Sequence, residues 1–203
     1  MSILDDAEDL AAEASAESGL DDRPAADPCV LAVSYCGLRL VPSAGSGARL
    51  VEGRVYYPRA ATDRERAFYV GHETMHDLIR WARWKVSPGD EEIAASRGAC
   101  ALILPRRAFL RDVRTEGVDL VTLGNLWPLA SAWVLARRVA ELRGALAVRR
   151  RKGRGVETAG AGDARQLSLA LDEAEEHGVA RAPGLCAVRV AERDVVGVLL
   201  ETG

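Results

Sequence analysis

The stretch Gly71-His72-Glu73-Thr74-Met75-His76-Asp77 sets the interpretation of the whole chain. On a helix, His72 and His76 lie four residues apart, so both imidazoles project from one face within reach of a single metal ion. Glu73 stands beside the same ion, where its carboxylate can accept a proton from a metal-activated water. Zinc lowers the pKa of bound water to about 7, which makes hydroxide accessible at neutral pH. The motif therefore predicts zinc-dependent hydrolysis, usually of a peptide bond.

The five-residue pattern is loose on its own, and two histidines on a surface helix are the alternative interpretation. Two observations favour the metal site. The chain has only three histidines, and two of them fall in this motif. The segment 64–83 also has apolar residues at near-helical spacing, which predicts a partly buried helix. These residues are Phe68, Val70, Met75, Leu78, Ile79 and Ala82.

A catalytic zinc usually has three protein ligands, so a third is expected after the first helix. Turn signals at 86–90 let the chain reverse, and acidic residues then start a second helix that ends at Pro105. This helix is rich in small residues, which allow two helices to approach closely. Glu92 is the predicted third ligand and Glu91 the alternative. Ser96, one turn later, is expected to hydrogen-bond the Glu92 carboxylate.

These residues carry a family resemblance. The block 66–76, followed by Glu92-Ile93-Ala94-Ala95-Ser96 and Leu102-Ile103-Leu104-Pro105, resembles the ImmA/IrrE family of zinc metallopeptidases over roughly residues 4–143. The resemblance implies His72, His76 and Glu92 as metal ligands and Glu73 as the general base. It also implies a partner protein as substrate, a helix-turn-helix transcriptional repressor cleaved in a stress or mobile-element response.

Three positions depart from the family pattern. Members usually have glycine or alanine where Met75 stands, Asn or Asp where Ser96 stands, and Phe where Gly98 stands. Serine at position 96 weakens the expected support of the site, and glycine at position 98 removes a core aromatic side chain. None of the three changes removes a metal ligand.

The composition is that of a soluble globular protein, with 48% hydrophobic and 28% charged residues among 203. No apolar run approaches the ~18 residues needed to cross a bilayer, and the N-terminus is acidic. We therefore expect a cytoplasmic protein without a membrane partner. The four cysteines are widely spaced and are predicted to be reduced core thiols: Cys29, Cys36, Cys100 and Cys186.

Two features are expected before the metal-binding motif. Residues 1–27 carry nine carboxylates against one arginine and predict a solvated amphipathic helix. The resemblance to gluzincin-type peptidases implies a short antiparallel sheet beside the metal helix, whose edge strand pairs with extended substrate, and residues 38–57 are expected to form it. Replacement of Val55 by proline is expected to impair proteolysis if this sheet binds substrate.

After Pro105, a short helix at 106–114 and helical segments at 119–129 and 131–143 are expected. The last of these has a basic side, so a helix-turn-helix that binds DNA directly is one interpretation. The favoured interpretation is a small helical subdomain packed on the peptidase core. Residues 149–163 predict a flexible basic linker, and 167–200 a helix followed by a two-stranded hairpin. His177 is predicted to cap that helix rather than to bind metal.

The sequence as a whole predicts an α+β fold with a mainly helical, zincin-like core. The expected segments are a metallopeptidase core at 1–105, a helical subdomain at 106–146, a basic glycine-rich linker at 147–165 and a C-terminal α/β appendage at 166–203. The expected function is a zinc-dependent endopeptidase, with Mn²⁺ as the alternative ion. Non-hydrolytic alternatives are a metal-containing regulator that binds protein or DNA and a toxin-antitoxin component.

Overall fold

The computed structural model describes residues 3–22, 27–151, 155–160, 164–182, 185–191 and 194–199. The fold is α+β, as predicted. The chain divides into two compact units, Met1–Ala108 and Phe109–Gly203. The second unit contains the three segments that the sequence separated into a subdomain, a linker and an appendage.

Four helices lie in the first unit: α1 (Ile3–Glu17), α2 (Pro28–Ser34), α3 (Asp63–Trp81) and α4 (Pro88–Ile103). Helix α3 begins with a capping box, in which Thr62 accepts from the Glu65 backbone and the Glu65 side chain accepts from Thr62. Helix α4 begins at Pro88, after the N-cap Ser87. Both helices that carry the predicted metal ligands thus start at well-defined points.

Helix α1 is not the solvated helix that its charge predicts. It packs against α4, and Ala7, Ala11 and Ala14 are buried at that interface. Glu8 is also buried and pairs with Arg97 of α4 at 3.0 Å. The many carboxylates of this segment predict a solvated helix, but a narrow stripe of alanines allows α1 to pack closely against α4.

Helices α3 and α4 approach closely because small residues line their contact. A Cβ atom added to Gly71 would lie 3.6 Å from Cα of Ala99. The side chain of Met75 fills the space above Gly98, where an added Cβ would lie 2.3 Å from its Cε. Met75 and Gly98 therefore face each other, and the large side chain of Met75 fills the space that the glycine leaves.

The first unit also contains a three-stranded sheet of β1 (Arg39–Ser43), β2 (Arg49–Val51) and β3 (Arg54–Pro58), in the order β1-β3-β2. Strand β1 runs parallel to β3, so the prediction of an antiparallel sheet is wrong for this pair. Glu52 and Gly53 join β2 to β3 in a tight turn, both with positive φ. Val55 lies on the central strand and is fully buried, so proline there would disrupt the core as well as any substrate contact.

In the second unit, helix α5 (Arg106–Glu116), which starts before the boundary, is followed by α6 (Leu120–Leu126) and α7 (Ala132–Arg143). Helix α7 packs on the sheet of this unit, so 106–146 is not a separate helical subdomain. On its basic side, Arg138 is fully buried and Arg137 pairs with Glu141 at 3.0 Å. These two side chains are engaged within the fold rather than presented as a DNA-reading surface.

The sheet of the second unit has the order β5-β4-β8-β7-β6. Its elements are β4 (Leu146–Arg151), β5 (Gly155–Gly160), α8 (Ala164–His177), β6 (Val179–Ala182), β7 (Leu185–Ala191) and β8 (Asp194–Leu199). The prediction of a flexible linker at 147–165 is wrong where β4 and β5 pair, and residues 152–154 and 161–163 lie outside the described residues. The predicted hairpin is two strands of a larger sheet. None of the helices that the structure describes is long and apolar enough to cross a membrane.

Candidate metal centre

Three side chains from α3 and α4 converge on one point. Nε2 of His72 lies 3.2 Å from Nε2 of His76 and 3.2 Å from Oε2 of Glu92. Nε2 of His76 lies 3.4 Å from Oε1 of Glu92. In the described part of the chain, this is the one group of three or more His, Cys, Asp or Glu side chains that could hold a metal ion.

The spacing of the two histidine nitrogens fits a tetrahedral ion. Ligands at about 2.0–2.1 Å from zinc in tetrahedral geometry lie about 3.3 Å from one another. The two histidine nitrogens lie 3.2 Å apart, which agrees with that value, whereas His72 and His76 approach different oxygens of Glu92, at 3.2 and 3.4 Å. With one oxygen of Glu92 as the ligand atom, the three atoms lie within 4.8 Å of one another. Two imidazole nitrogens and one carboxylate form a donor set typical of catalytic zinc and also compatible with Mn²⁺.

Both histidines are oriented through their other ring nitrogen by α4. Nδ1 of His76 lies 2.7 Å from Oε1 of Glu91, and Nδ1 of His72 lies 3.3 Å from Oγ of Ser96. A carboxylate can only accept, so Nδ1 of His76 donates and its Nε2 carries a lone pair toward the cluster. Glu91 is therefore an orienting partner rather than the alternative ligand, and Ser96 contacts His72 rather than the predicted Glu92.

Electrostatics favour a neutral His72. Burial lowers the pKa of His72, the neighbouring His76 lowers it further, and Glu92 opposes both effects. A histidine must be neutral to bind a metal ion, so this environment leaves the nitrogen lone pair available. The ring of Phe68 lies against that of His72, with centroids 6.3 Å apart, and shields one side of the site.

Glu73 lies beside the cluster in a protected position. Its side chain is buried, and burial raises the pKa of its carboxyl above the usual value. Electrostatic interaction with His76 and a hydrogen bond from the backbone amide of Leu50, on β2, lower the pKa of Glu73 and partly offset the effect of burial. A carboxylate with a raised pKa is better matched to accepting a proton near neutral pH.

The cluster is exposed to solvent at Glu92 and largely buried at the two histidines. The side chains of His72 and His76 are 17% and 10% exposed, whereas that of Glu92 is 66% exposed. A site with three ligands and an open side differs from structural zinc sites, which are closed by a fourth ligand. The third histidine, His177, is the last residue of α8 in the second unit.

Sequence reasoning missed two contributors, Glu91 as a partner of His76 and Leu50 as a neighbour of Glu73. Consecutive residues on a helix point about 100° apart, so Glu91 and Glu92 can reach the same cluster only near the helix N-terminus. The sequence signal for Glu91 as a partner of His76 is therefore weak. The contact with Leu50 depends on where the sheet packs, which local sequence does not encode.

Comparison with known proteins shows a likeness of fold. No protein-family model and no curated protein matches the sequence. Among solved structures, the chain is similar to a Mycobacterium tuberculosis transcriptional regulator, with a TM-score of 0.68 and 15% sequence identity. The match covers 96% of this chain and 86% of that protein. At this identity the two share a fold.

Proposed function

We propose that this protein is a zinc-dependent endopeptidase of the ImmA/IrrE type. The observation that carries the proposal is the convergence of ligand atoms of His72, His76 and Glu92 to within 4.8 Å of one another, with a buried carboxylate, Glu73, next to them. A purely structural metal site has no use for that carboxylate and closes its fourth position. The open side at Glu92 leaves room for water and a peptide carbonyl.

Bound at this site, zinc would supply Lewis acidity and a lowered pKa for water. The residues of the chain perform the remaining tasks. Glu73 accepts a proton from the attacking water and later delivers it to the leaving amine. Glu91 and Ser96 hold the two imidazoles in the tautomer and orientation that the ion requires. Burial of Glu73 raises the pKa of its carboxyl, which favours its role in accepting and delivering a proton.

The substrate that fits this proposal is an extended segment of a partner protein, with a helix-turn-helix transcriptional repressor as the expected partner. Strand β2 ends the small sheet, and its Leu50 amide faces Glu73. A peptide that added a strand to this edge would run past the catalytic carboxylate. The name of the structural neighbour, a transcriptional regulator, supports a setting in gene regulation.

A second function has a specific observation in its favour. The neighbour covers nearly the whole chain and is named a regulator rather than a peptidase. A non-hydrolytic protein that keeps the metal to stabilise the fold and acts by binding protein or DNA is therefore the alternative. The presence of Glu73 is what favours the enzyme.

One experiment separates the two functions. Purified wild type, Glu73→Gln and the exposed control Glu116→Gln are analysed for bound metal and then incubated with the repressor-like protein encoded nearest to the gene. We expect one zinc per chain in all three, and cleavage by wild type and Glu116→Gln only. Metal in all three with no cleavage by any favours the non-hydrolytic regulator, and failure of wild type to bind zinc refutes the metal site.

A further inference from the structure

The solvent face of the first sheet carries an unusual concentration of positive charge. Arg39, Arg49 and Arg54 are all exposed on it, whereas residues 39–58 contain a single carboxylate, Glu52. Within the described part of the chain, none of these three guanidinium groups forms an ion pair with a carboxylate. The chain as a whole has a formal net charge of −3, so the charge of this face is opposite in sign to the net charge of the chain.

The register of the strands arranges these side chains in order. Two rows of outward-facing side chains cross the sheet and end on β2: Val41, Tyr56 and Arg49 in one, and Arg39, Arg54 and Val51 in the other. The guanidinium carbon of Arg49 lies 5.3 Å from the ring centroid of Tyr56. This cation–π contact holds the Arg49 side chain on the sheet at the terminal strand.

The free edge of β2 leads to the metal centre. Val51 and Arg54 flank the two-residue turn, so they form a hydrogen-bonded pair. The next pair, Leu50 and Val55, is a non-hydrogen-bonded pair. The amide of Leu50 therefore points away from β3, toward Glu73. The carbonyl of Leu50 points to the same side, so a peptide strand that donated to it would place alternate side chains on the same face as Arg49 and Val51.

We propose that the free edge of β2 binds an acidic extended segment of the substrate, and that Arg49 selects an Asp or Glu side chain beside it. This inference rests on the proposed peptidase function and names the class of peptide that it recognises. The partner is a protein rather than a nucleic acid because the arginines flank a strand edge that continues to the catalytic carboxylate. A backbone of phosphates has no means of extending a sheet.

The three arginines should contribute unequally. Neighbouring strands lie about 4.8 Å apart, so a peptide on β2 would be one strand spacing from Arg49, roughly 10 Å from the Arg54 strand and roughly 14 Å from the Arg39 strand. The Debye length is about 10 Å at 0.1 M salt. Screening therefore leaves Arg49 as the main determinant, Arg54 as a weaker one and Arg39 with little effect.

The test uses three fluorescein-labelled ten-residue peptides of alternating Thr and Val, in which two alternate positions are Glu, Lys or Gln. Binding is measured by fluorescence polarisation with full-length, zinc-loaded Glu73→Gln, and cleavage with wild type. Arg49→Glu, Arg54→Glu and Arg39→Glu are compared with Arg107→Glu. Arg107 is an exposed control beyond the far end of α4, roughly 16 Å along that helix from Glu92.

We expect the Glu peptide to bind about tenfold more tightly than the Lys peptide. Arg49→Glu should reverse that preference, Arg54→Glu should reduce it to about threefold, and Arg107→Glu should leave it unchanged. Equal binding of the three peptides, an equal loss in Arg107→Glu, or preferential binding of a single-stranded DNA probe over the Glu peptide would overturn the inference.

The two proposals fail in different ways. Cleavage of all three peptides at equal rates would refute the acidic preference and leave the peptidase intact. A preference for the Glu peptide that Arg49→Glu reverses, without cleavage of any peptide or of the repressor, would support the binding surface and refute the peptidase.

Discussion

The contact between Met75 and Gly98 yields a quantitative prediction about the helices that carry the metal ligands. A Cβ atom added at Gly98 would lie 2.3, 2.6 and 2.7 Å from Cε, Sδ and Cγ of Met75, whereas carbon atoms pack best at about 3.5–4.0 Å. Met75 is fully buried, so its side chain cannot turn toward solvent. Gly98→Ala therefore forces the side chain or the helices to shift by about 1 Å.

The free energies follow from this overlap. Overpacking of a core costs about 1–3 kcal/mol, and three close contacts place Gly98→Ala near the upper value. The gain in helix propensity returns about 1 kcal/mol, so a net loss of about 2 kcal/mol in the free energy of unfolding is expected. Met75→Ala should cost about 3 kcal/mol through the cavity that it leaves. The double variant should lose only about 2 kcal/mol, a coupling of about 3 kcal/mol.

The assay is urea unfolding of the zinc-free protein, followed by tryptophan fluorescence, for the two single variants and the double variant. Gly89→Ala is the matched control because Gly89 is an exposed residue of the same helix, and the nearest atom to its added Cβ is Oγ of Ser87 at 4.0 Å. This control should raise the free energy of unfolding by up to about 1 kcal/mol. If Gly98→Ala stabilises as Gly89→Ala does, or if the two single losses simply add, the packing argument fails.

Two further predictions concern the metal centre and the second unit. Glu91→Gln should weaken zinc affinity about 10- to 100-fold, measured by competition with a chelating dye, because it removes the carboxylate that orients His76; an affinity equal to that of wild type would contradict this role. Burial opposes ionisation of Asp119, but hydrogen bonds from Arg181 and the amides of Val121 and Thr122 lower the pKa of this carboxyl overall. The stability that Asp119 provides should therefore be complete above about pH 3.9 and should disappear as the pH falls through the pKa of Asp119 in the folded state. The difference in unfolding free energy between wild type and Asp119→Asn should be constant from about pH 5 to 8 and should shrink in acid.

The sequence predicted the parts of the site that depend on local order. The spacing of His72 and His76, the cap at Ser87 and the small residues of α4 are all properties of single helices. Glu92 followed from the need for a third ligand and the length of the turn. These features require no knowledge of distant segments, and the helices and the convergence of the three side chains agree with the structure.

The errors arose where residues depend on partners far along the chain. The run Arg149, Arg150 and Arg151 looks like a basic linker when it is considered alone. In the structure these side chains pair with Asp194, with Asp172 and Glu175, and with Glu157, at least six residues away in sequence. Opposite charges on neighbouring strands and on α8 pair with these arginines, so part of the predicted linker is an interior strand of the sheet, β4. Acidic α1 was misjudged for the same reason, since Arg97 lies on α4.

Helix α4 joins the packing of the first unit to its chemistry. Glu92 is the predicted third ligand, its neighbours Glu91 and Ser96 contact the two histidines, and Gly98 sets how closely α3 approaches. Metal ligands tolerate displacements of only about 0.2 Å from their preferred distances. A shift of α4 by about 1 Å, one of the two ways to relieve the overlap in Gly98→Ala, would move Glu92 beyond this tolerance. We therefore expect Gly98 to contribute to metal affinity without contacting the ion. Gly98→Ala, which should destabilise the zinc-free protein, should also lower its affinity for zinc.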